Sequence, residues 1–260
     1  MTTTAPPYQL NESMILDAEA QGVDSHPQLA EPSHVKVQDV SLMRGGKWLF
    51  RNLSLDLPRG CFVAITGPSG SGKTSLLNVL AGRLANPDGR VQYTCLQACE
   101  HDPTDYSHRV GMIFQDLLLV PHATAVENVL CGRLARYHWS KTLFGFPSQD
   151  RALAVKLLRE CGVDYLAGRM VHSASGGEQQ RIAVARAMMM EPELFLADEP
   201  VSNLDRLCAE RVLGLLQRRS RDERSTTFCV LHQPDLVEQF ADFELKLLAD
   251  GEGSWSWRAL

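Results

Sequence analysis

Residues 67–74, Gly67-Pro68-Ser69-Gly70-Ser71-Gly72-Lys73-Thr74, bring together what a polyphosphate requires: glycines that let backbone amides turn inward, and a cation beside a hydroxyl. They follow a continuous β-rich run, CFVAIT, and open a segment of helical period, GKTSLLNVLAGRLA. In that context the amides and the positive end of the helix dipole converge on phosphate oxygens. Lys73 is expected to neutralise the β/γ oxygens and Thr74 to offer its hydroxyl to Mg²⁺, with nucleotide contacts running from Gly67 through Ser75. A glycine-rich turn that merely caps a helix would leave the complete spacing and both flanks unexplained.

A second cluster lies at residues 194–200, LFLADEP. A buried strand reaching Asp198 sets that carboxylate at the carboxyl edge of a sheet, where it can hold Mg²⁺ through water. Glu199, one residue on, points differently and can orient or deprotonate an attacking water. Alone, the two acids would read as an ordinary strand-end turn; the phosphate loop upstream gives them a partner.

These groups need a scaffold, and the pattern supplies one. Residues 34–57 contain two stretches, HVKVQDVSLM and LFRNLSLDL, that alternate apolar and polar as half-buried antiparallel strands do. RVQYTC, RVGMIFQ, LFLAD and TTFCVLH read as further short strands, and the later ones are each followed by helical sequence, which implies a mostly parallel sheet covered on both faces. Residues 116–172 are mainly helical: Thr124 and Glu127 have capping-box spacing, and RALAVKLLREC has apolar residues at helical intervals. The expected class is therefore α/β, with a mostly parallel core sheet, an N-terminal antiparallel β-subdomain and a helical subdomain inserted over about 116–172. Residues 1–33 are polar and proline-containing, and read as a disordered or loosely docked tail; residues 34–260 form the expected folded domain.

Bulk composition narrows the class further. A length of 260 residues with 44% hydrophobic content is ample for a packed core. A net charge of -5 gives no whole-molecule attraction to nucleic acid, and the Arg218, Arg219, Arg221, Arg224 run is interleaved with Asp222 and Glu223 as on a solvated helix end. Seven cysteines without framework spacing indicate free thiols in a reducing compartment, and Cys95, Cys99 and His101 lack the second pair that a structural zinc site needs. No run of about 18 apolar residues and no signal-peptide pattern occurs, so the chain is expected neither to span a membrane nor to be secreted.

Taken in order, GPSGSGKT, Gln115, ASGGEQQR, LADEP, SNLD and His232 resemble the ATPase domain of ABC transporters, over about residues 34–250. Ser175, Gly176, Gly177 and Glu178 are the most diagnostic, because they resemble the signature loop that reaches across a dimer to the γ-phosphate held on the partner's phosphate loop. A serine and two glycines ahead of a helix also make an anion site on physical grounds, while Ser175 and Glu178 have the spacing of a capping box. The resemblance implies that Gln115 approaches Mg²⁺, that His232 lies near the γ-phosphate and Glu199, and that Asp205 runs along the dimer seam. Where the family places an aromatic residue against adenine, this chain has Leu42-Met43-Arg44-Gly45-Gly46, leaving Arg44 or Trp48 to take that role.

The segment Tyr137 to Phe146, with LADEPVSNLD and LHQPDL, is similar to ATPase subunits of phosphonate importers. That resemblance implies ATP and Mg²⁺ as ligands, a homodimer of ATPase subunits, transmembrane permease partners, an external solute-binding protein acting through them, and a peripheral place on the cytoplasmic face of the inner (plasma) membrane. An ATPase of a lipoprotein-release, export or cell-division complex shares every nucleotide motif, and a soluble non-transport ABC ATPase is the remaining alternative.

Overall fold

The computed structural model describes residues 35–84, 88–93, 109–137 and 145–260. The N-terminal tail at residues 1–33, the Cys95, Cys99, His101 group and most of the Tyr137 to Phe146 segment lie outside the described residues.

Strands β1 (Val35–Arg44) and β2 (Lys47–Leu57) pair antiparallel, and β4 (Asp88–Tyr93) pairs antiparallel with the other edge of β1. Their alternating pattern turns Val35, Val37, Leu53, Leu55 and Leu57 inward while Gln38 and Asn52 stay exposed. The remaining strands, β3 (Phe62–Thr66), β5 (Val110–Ile113), β6 (Leu194–Ala197), β7 (Thr226–Val230), β8 (Phe243–Leu247) and β9 (Trp255–Ala259), form one sheet in the order β5-β6-β7-β3-β8-β9. Every neighbour pair is parallel except β8 and β9. The antiparallel β9 edge carries Trp257 stacked on Phe243 with ring centroids 5.0 Å apart.

The parallel strands are apolar throughout because both faces are covered. Alternate residues divide between two cores: Phe62, Ala64, Phe195, Ala197 and Cys229 pack on one side, Val63, Ile65, Leu194, Leu196, Phe228 and Val230 on the other. The second core is closed by α1 (Lys73–Leu80) and by the antiparallel sheet. The first is closed by α2 (Ala125–Leu130), α3 (Ser148–Glu160), α4 (Gly176–Met189), α5 (Arg206–Glu223) and α6 (Pro234–Phe240). Among the described residues no helix is long and apolar enough to cross a membrane.

The sheet fixes what stands at its carboxyl edge. Ile65 lies opposite Val230, and Ala197 opposite Cys229, so Gly67, Asp198 and His232 emerge side by side. Gln115 leaves the end of β5 next to Asp198, whose amide donates to the carbonyl of Ile113 at 3.0 Å. Phe228 sits fully buried in the middle strand of this arrangement. Phe228→Ala is expected to lower stability by about 3–5 kcal/mol, read from urea denaturation; an unchanged midpoint would contradict this account of the core.

Candidate active site

The turn between β3 and α1 is possible only with its glycines. Gly67, Gly70 and Gly72 adopt φ of 136°, 79° and 100°. A Cβ on Gly67 would lie 2.3 Å from the carbonyl oxygen of Leu247 and 2.9 Å from Ser71 Oγ. Gly72 caps α1 without a side-chain hydrogen bond, so no side chain covers the first-turn amides. Ser71 is buried, and its Oγ has no hydrogen-bond partner among the described residues.

Lys73 is only 6% exposed, and its ammonium donates to the carbonyls of Gly67 and Pro68 at 2.9 and 2.8 Å. Burial pulls its pKa below the ordinary lysine value, with the carboxylates of Glu199 and Asp198 opposing that fall. Thr74 Oγ1 donates to Asp198 Oδ2 at 2.8 Å, which docks the start of α1 on the end of β6. Asp198 is 4% exposed, and burial raises its carboxyl above the usual range; the Thr74 hydrogen bond and the Lys73 charge lower it, and the neighbouring Glu199 raises it further.

Glu199 has a left-handed backbone, φ 53°, which costs a side-chain-bearing residue roughly 1–2 kcal/mol. From that backbone its carboxylate meets His232, whose Nε2 is 2.7 Å from Glu199 Oε1. His232 is half exposed at the end of β7.

These residues share a cavity of about 440 Å³ lined by Ser69, Gly70, Gly72, Lys73, Thr74, Ser75, Gln115, Glu199 and His232, with Arg44 and Leu49 closing it from the antiparallel sheet. Of the two expected adenine contacts, Arg44 therefore faces the cavity. Trp48 does not line it: its amide donates to Gly251 and its ring lies under Arg51. For Mg²⁺, the Thr74 hydroxyl, the Asp198 carboxylate paired with it and the Gln115 amide at the same cavity offer oxygen donors and no thiolate, which suits a hard cation.

Ser175, Gly176, Gly177 and Glu178 do not line this cavity. They head α4, where the capping box is closed: Ser175 Oγ accepts from the Glu178 amide at 3.4 Å, and Glu178 Oε2 accepts from the Ser175 amide at 2.7 Å. Tyr165 adds a 2.6 Å hydrogen bond to Glu178 Oε1. Asp205 caps α5 through the Cys208 amide at 3.0 Å.

One residue of the site escaped the sequence reading. Gln180, buried two residues beyond Glu178, donates to the carbonyl of Glu199 at 2.7 Å and accepts from the Asn203 amide at 3.2 Å. Its signal was a polar residue opening the apolar stripe that continues through Ala183, Val184 and Ala187.

Fold and cavity together define a P-loop ATPase, with a glycine-rich turn ahead of α1 and two consecutive acids, Asp198 and Glu199, at the end of β6. A family model described as ABC transporter matches residues 50–202. The phosphonates import ATP-binding protein PhnC of Trichormus variabilis is 36% identical over 74% of this chain and 79% of its own. A phosphite import ATP-binding protein, PxtA of Stutzerimonas stutzeri, is 38% identical over 76% of this chain and 72% of its own. Among solved structures, the dimeric bacterial ABC transporter cassette MJ0796 superposes with a TM-score of 0.74 at 28% identity, covering 87% of this chain and 98% of that one. The chain belongs to the ABC transporter family, as its ATP-binding and ATP-hydrolysing subunit.

The raised carboxyl of Asp198 has a testable sign. The folded state holds that proton more tightly than the unfolded chain, so this group's contribution is favourable in acid and is lost as pH rises through its folded pKa. Asp198→Asn should therefore raise the thermal midpoint of the nucleotide-free protein at pH 7, with the gain shrinking as pH falls through the carboxyl range. A midpoint at pH 7 at or below wild type would show that Asp198 is not strained by burial.

Proposed function

We propose that Glu199 and His232 are the hydrolytic pair of this ATPase, and that the residues from Gly67 to Ser75, with Gln115, bind the triphosphate and Mg²⁺. The observation that carries the proposal is the pairing of contacts at one sheet edge: Thr74 at the start of α1 donates to Asp198, within electrostatic reach of Lys73, while His232 meets Glu199. Thr74, Asp198 and Gln115 are the residues that would hold Mg²⁺, which would supply charge neutralisation for the phosphate oxygens. Lys73 exchanges its carbonyl partners for phosphate oxygens. Glu199 accepts a proton from the attacking water or orients it, and His232 fixes the carboxylate that does so.

In one chain the cradle has an open side, because Ser175 and its glycines stand outside the cavity. A second copy, placed with its α4 amides toward the terminal phosphate, supplies the missing donors, and the capping box can persist beneath such a contact. Residues 34–260 act as one ATPase domain in this reading, with the helical portion over about 116–172 moving as the dimer closes. A groove of about 550 Å³, with Val110, Met112, Phe114 and Leu118 beside Arg83 and Arg186 in its lining, adjoins the Gln115 loop and suits an amphipathic helix of a permease.

The transported solute, by analogy with the phosphonate and phosphite import relatives, is a small phosphorus oxyanion taken up through a separate permease with an external solute-binding protein. The subunit then works at the cytoplasmic face of the inner membrane.

Glu199→Gln is expected to keep ATP affinity within a few-fold while turnover falls by about 10²- to 10⁴-fold; near-normal turnover would remove Glu199 from the role. Lys73→Ala should weaken ATP binding roughly ten- to a hundredfold, since a charge-assisted contact is lost; unchanged affinity in a binding titration would exclude the cradle. In the reconstituted assembly, ATPase activity should rise with a simple alkylphosphonate or phosphite and not with sulfate. Equal stimulation by all three, or none, would set the solute assignment aside.

A further inference from the structure

We infer that Gln180 is a positioning residue for hydrolysis: a side chain on α4 that holds the backbone of Glu199 in its left-handed conformation and ties it to the loop at Ser202 and Asn203. The inference rests on the hydrolytic role proposed for Glu199.

Gln180 is 2% exposed, and a primary amide in that setting must have its donors and acceptor met by protein groups. Here they are met by three residues of the segment between β6 and α5. Gln180 Nε2 donates to the carbonyl oxygen of Glu199 at 2.7 Å and lies 3.4 Å from Ser202 Oγ. Gln180 Oε1 accepts from the amide of Asn203 at 3.2 Å. The Glu199 carbonyl is a focus of bonds in its own right, accepting also from Ser202 Oγ at 3.2 Å and from the Ser202 amide at 3.3 Å.

The Glu199 conformation explains why such a focus is needed. At φ 53° a residue with a Cβ relaxes toward right-handed φ unless its peptide is held, and that relaxation would swing the carboxylate off His232. Among the described residues Gln180 supplies the only side-chain amide donor to that carbonyl, and it does so from the helix headed by Ser175. A displacement of α4 is thus delivered through one buried side chain to the backbone of the proposed general base and to the stretch that leads to Asp205. The same helix holds the segment after Gln115, since Arg186 donates to the carbonyls of Leu117 and Leu118 at 2.5 and 2.6 Å. Gln180 does not line the cavity, so its effect falls on turnover and not on binding.

The test uses the full chain in its native assembly. Gln180→Leu removes all three contacts at similar volume; Gln180→Glu keeps an acceptor for Asn203 and removes the donor to Glu199. Both variants should bind ATP with affinity within about threefold of wild type and lose at least tenfold in kcat, and Gln180→Glu decides the matter if Gln180→Leu does not fold. In a Glu199→Gln background, where the carboxylate is already gone, Gln180→Glu should lower the residual turnover less than twofold. A folded variant with wild-type kcat, an equal loss of affinity and kcat, or a full additional loss in the Glu199→Gln background would each overturn the inference. Wild-type turnover in Glu199→Gln alone would instead remove the hydrolytic role of Glu199, whatever the Gln180 variants do.

Discussion

A buried ammonium group is the constraint from which the rest of the site follows. Lys73 is almost wholly withdrawn from water, and burial works against its charge. The fold answers with two backbone carbonyls in contact and two carboxylates within electrostatic reach. The carbonyls are available because Gly67 takes a φ that leaves no room for a Cβ against Leu247. The carboxylates are near because β6 lies one strand from β7 and two from β3, so its end opens onto the same edge. An arrangement that keeps a cation dry beside uncapped helix amides is built to receive an anion with several oxygens.

The acids meet this demand in unequal ways. Asp198 stays close to the sheet line and accepts a hydrogen bond from the Thr74 hydroxyl, so that the helix start and the strand end are one unit. Glu199 departs from it through a strained backbone and meets His232 at the same cavity. One residue of chain separates a carboxyl suited to a metal from a carboxyl suited to water. Helix α4 has Ser175 at its head, Gln180 against Glu199, and Arg186 against the chain that follows Gln115.

The chemistry-bearing turn was legible in the sequence because its requirements are local: glycines, lysine and threonine at fixed spacing, a buried strand before and a helix after. The same holds for Asp198 and Glu199, and for the strands of residues 34–57, where alternation and its inward face agree with the register of β1 and β2. Contacts made by side chains across the fold were not legible. Nothing in the spacing of Gln180 states that it meets a residue 19 positions on. Arg44 and Trp48 were equal candidates until the sheet turned one toward the cavity and the other toward Gly251 and Arg51. The order of the strands, including the antiparallel β9 at the edge, depends on packing of both faces at once, which no linear pattern encodes.

The most direct test is a high-resolution structure of the Glu199→Gln protein with ATP and Mg²⁺. The account predicts that the Lys73 ammonium leaves the carbonyls of Gly67 and Pro68 for phosphate oxygens, that a metal ion lies between Thr74 and Asp198, and that Ser175 of a second copy approaches the terminal phosphate. A nucleotide bound with Lys73 still on those carbonyls, or a terminal phosphate met by no second copy's Ser175, would contradict it.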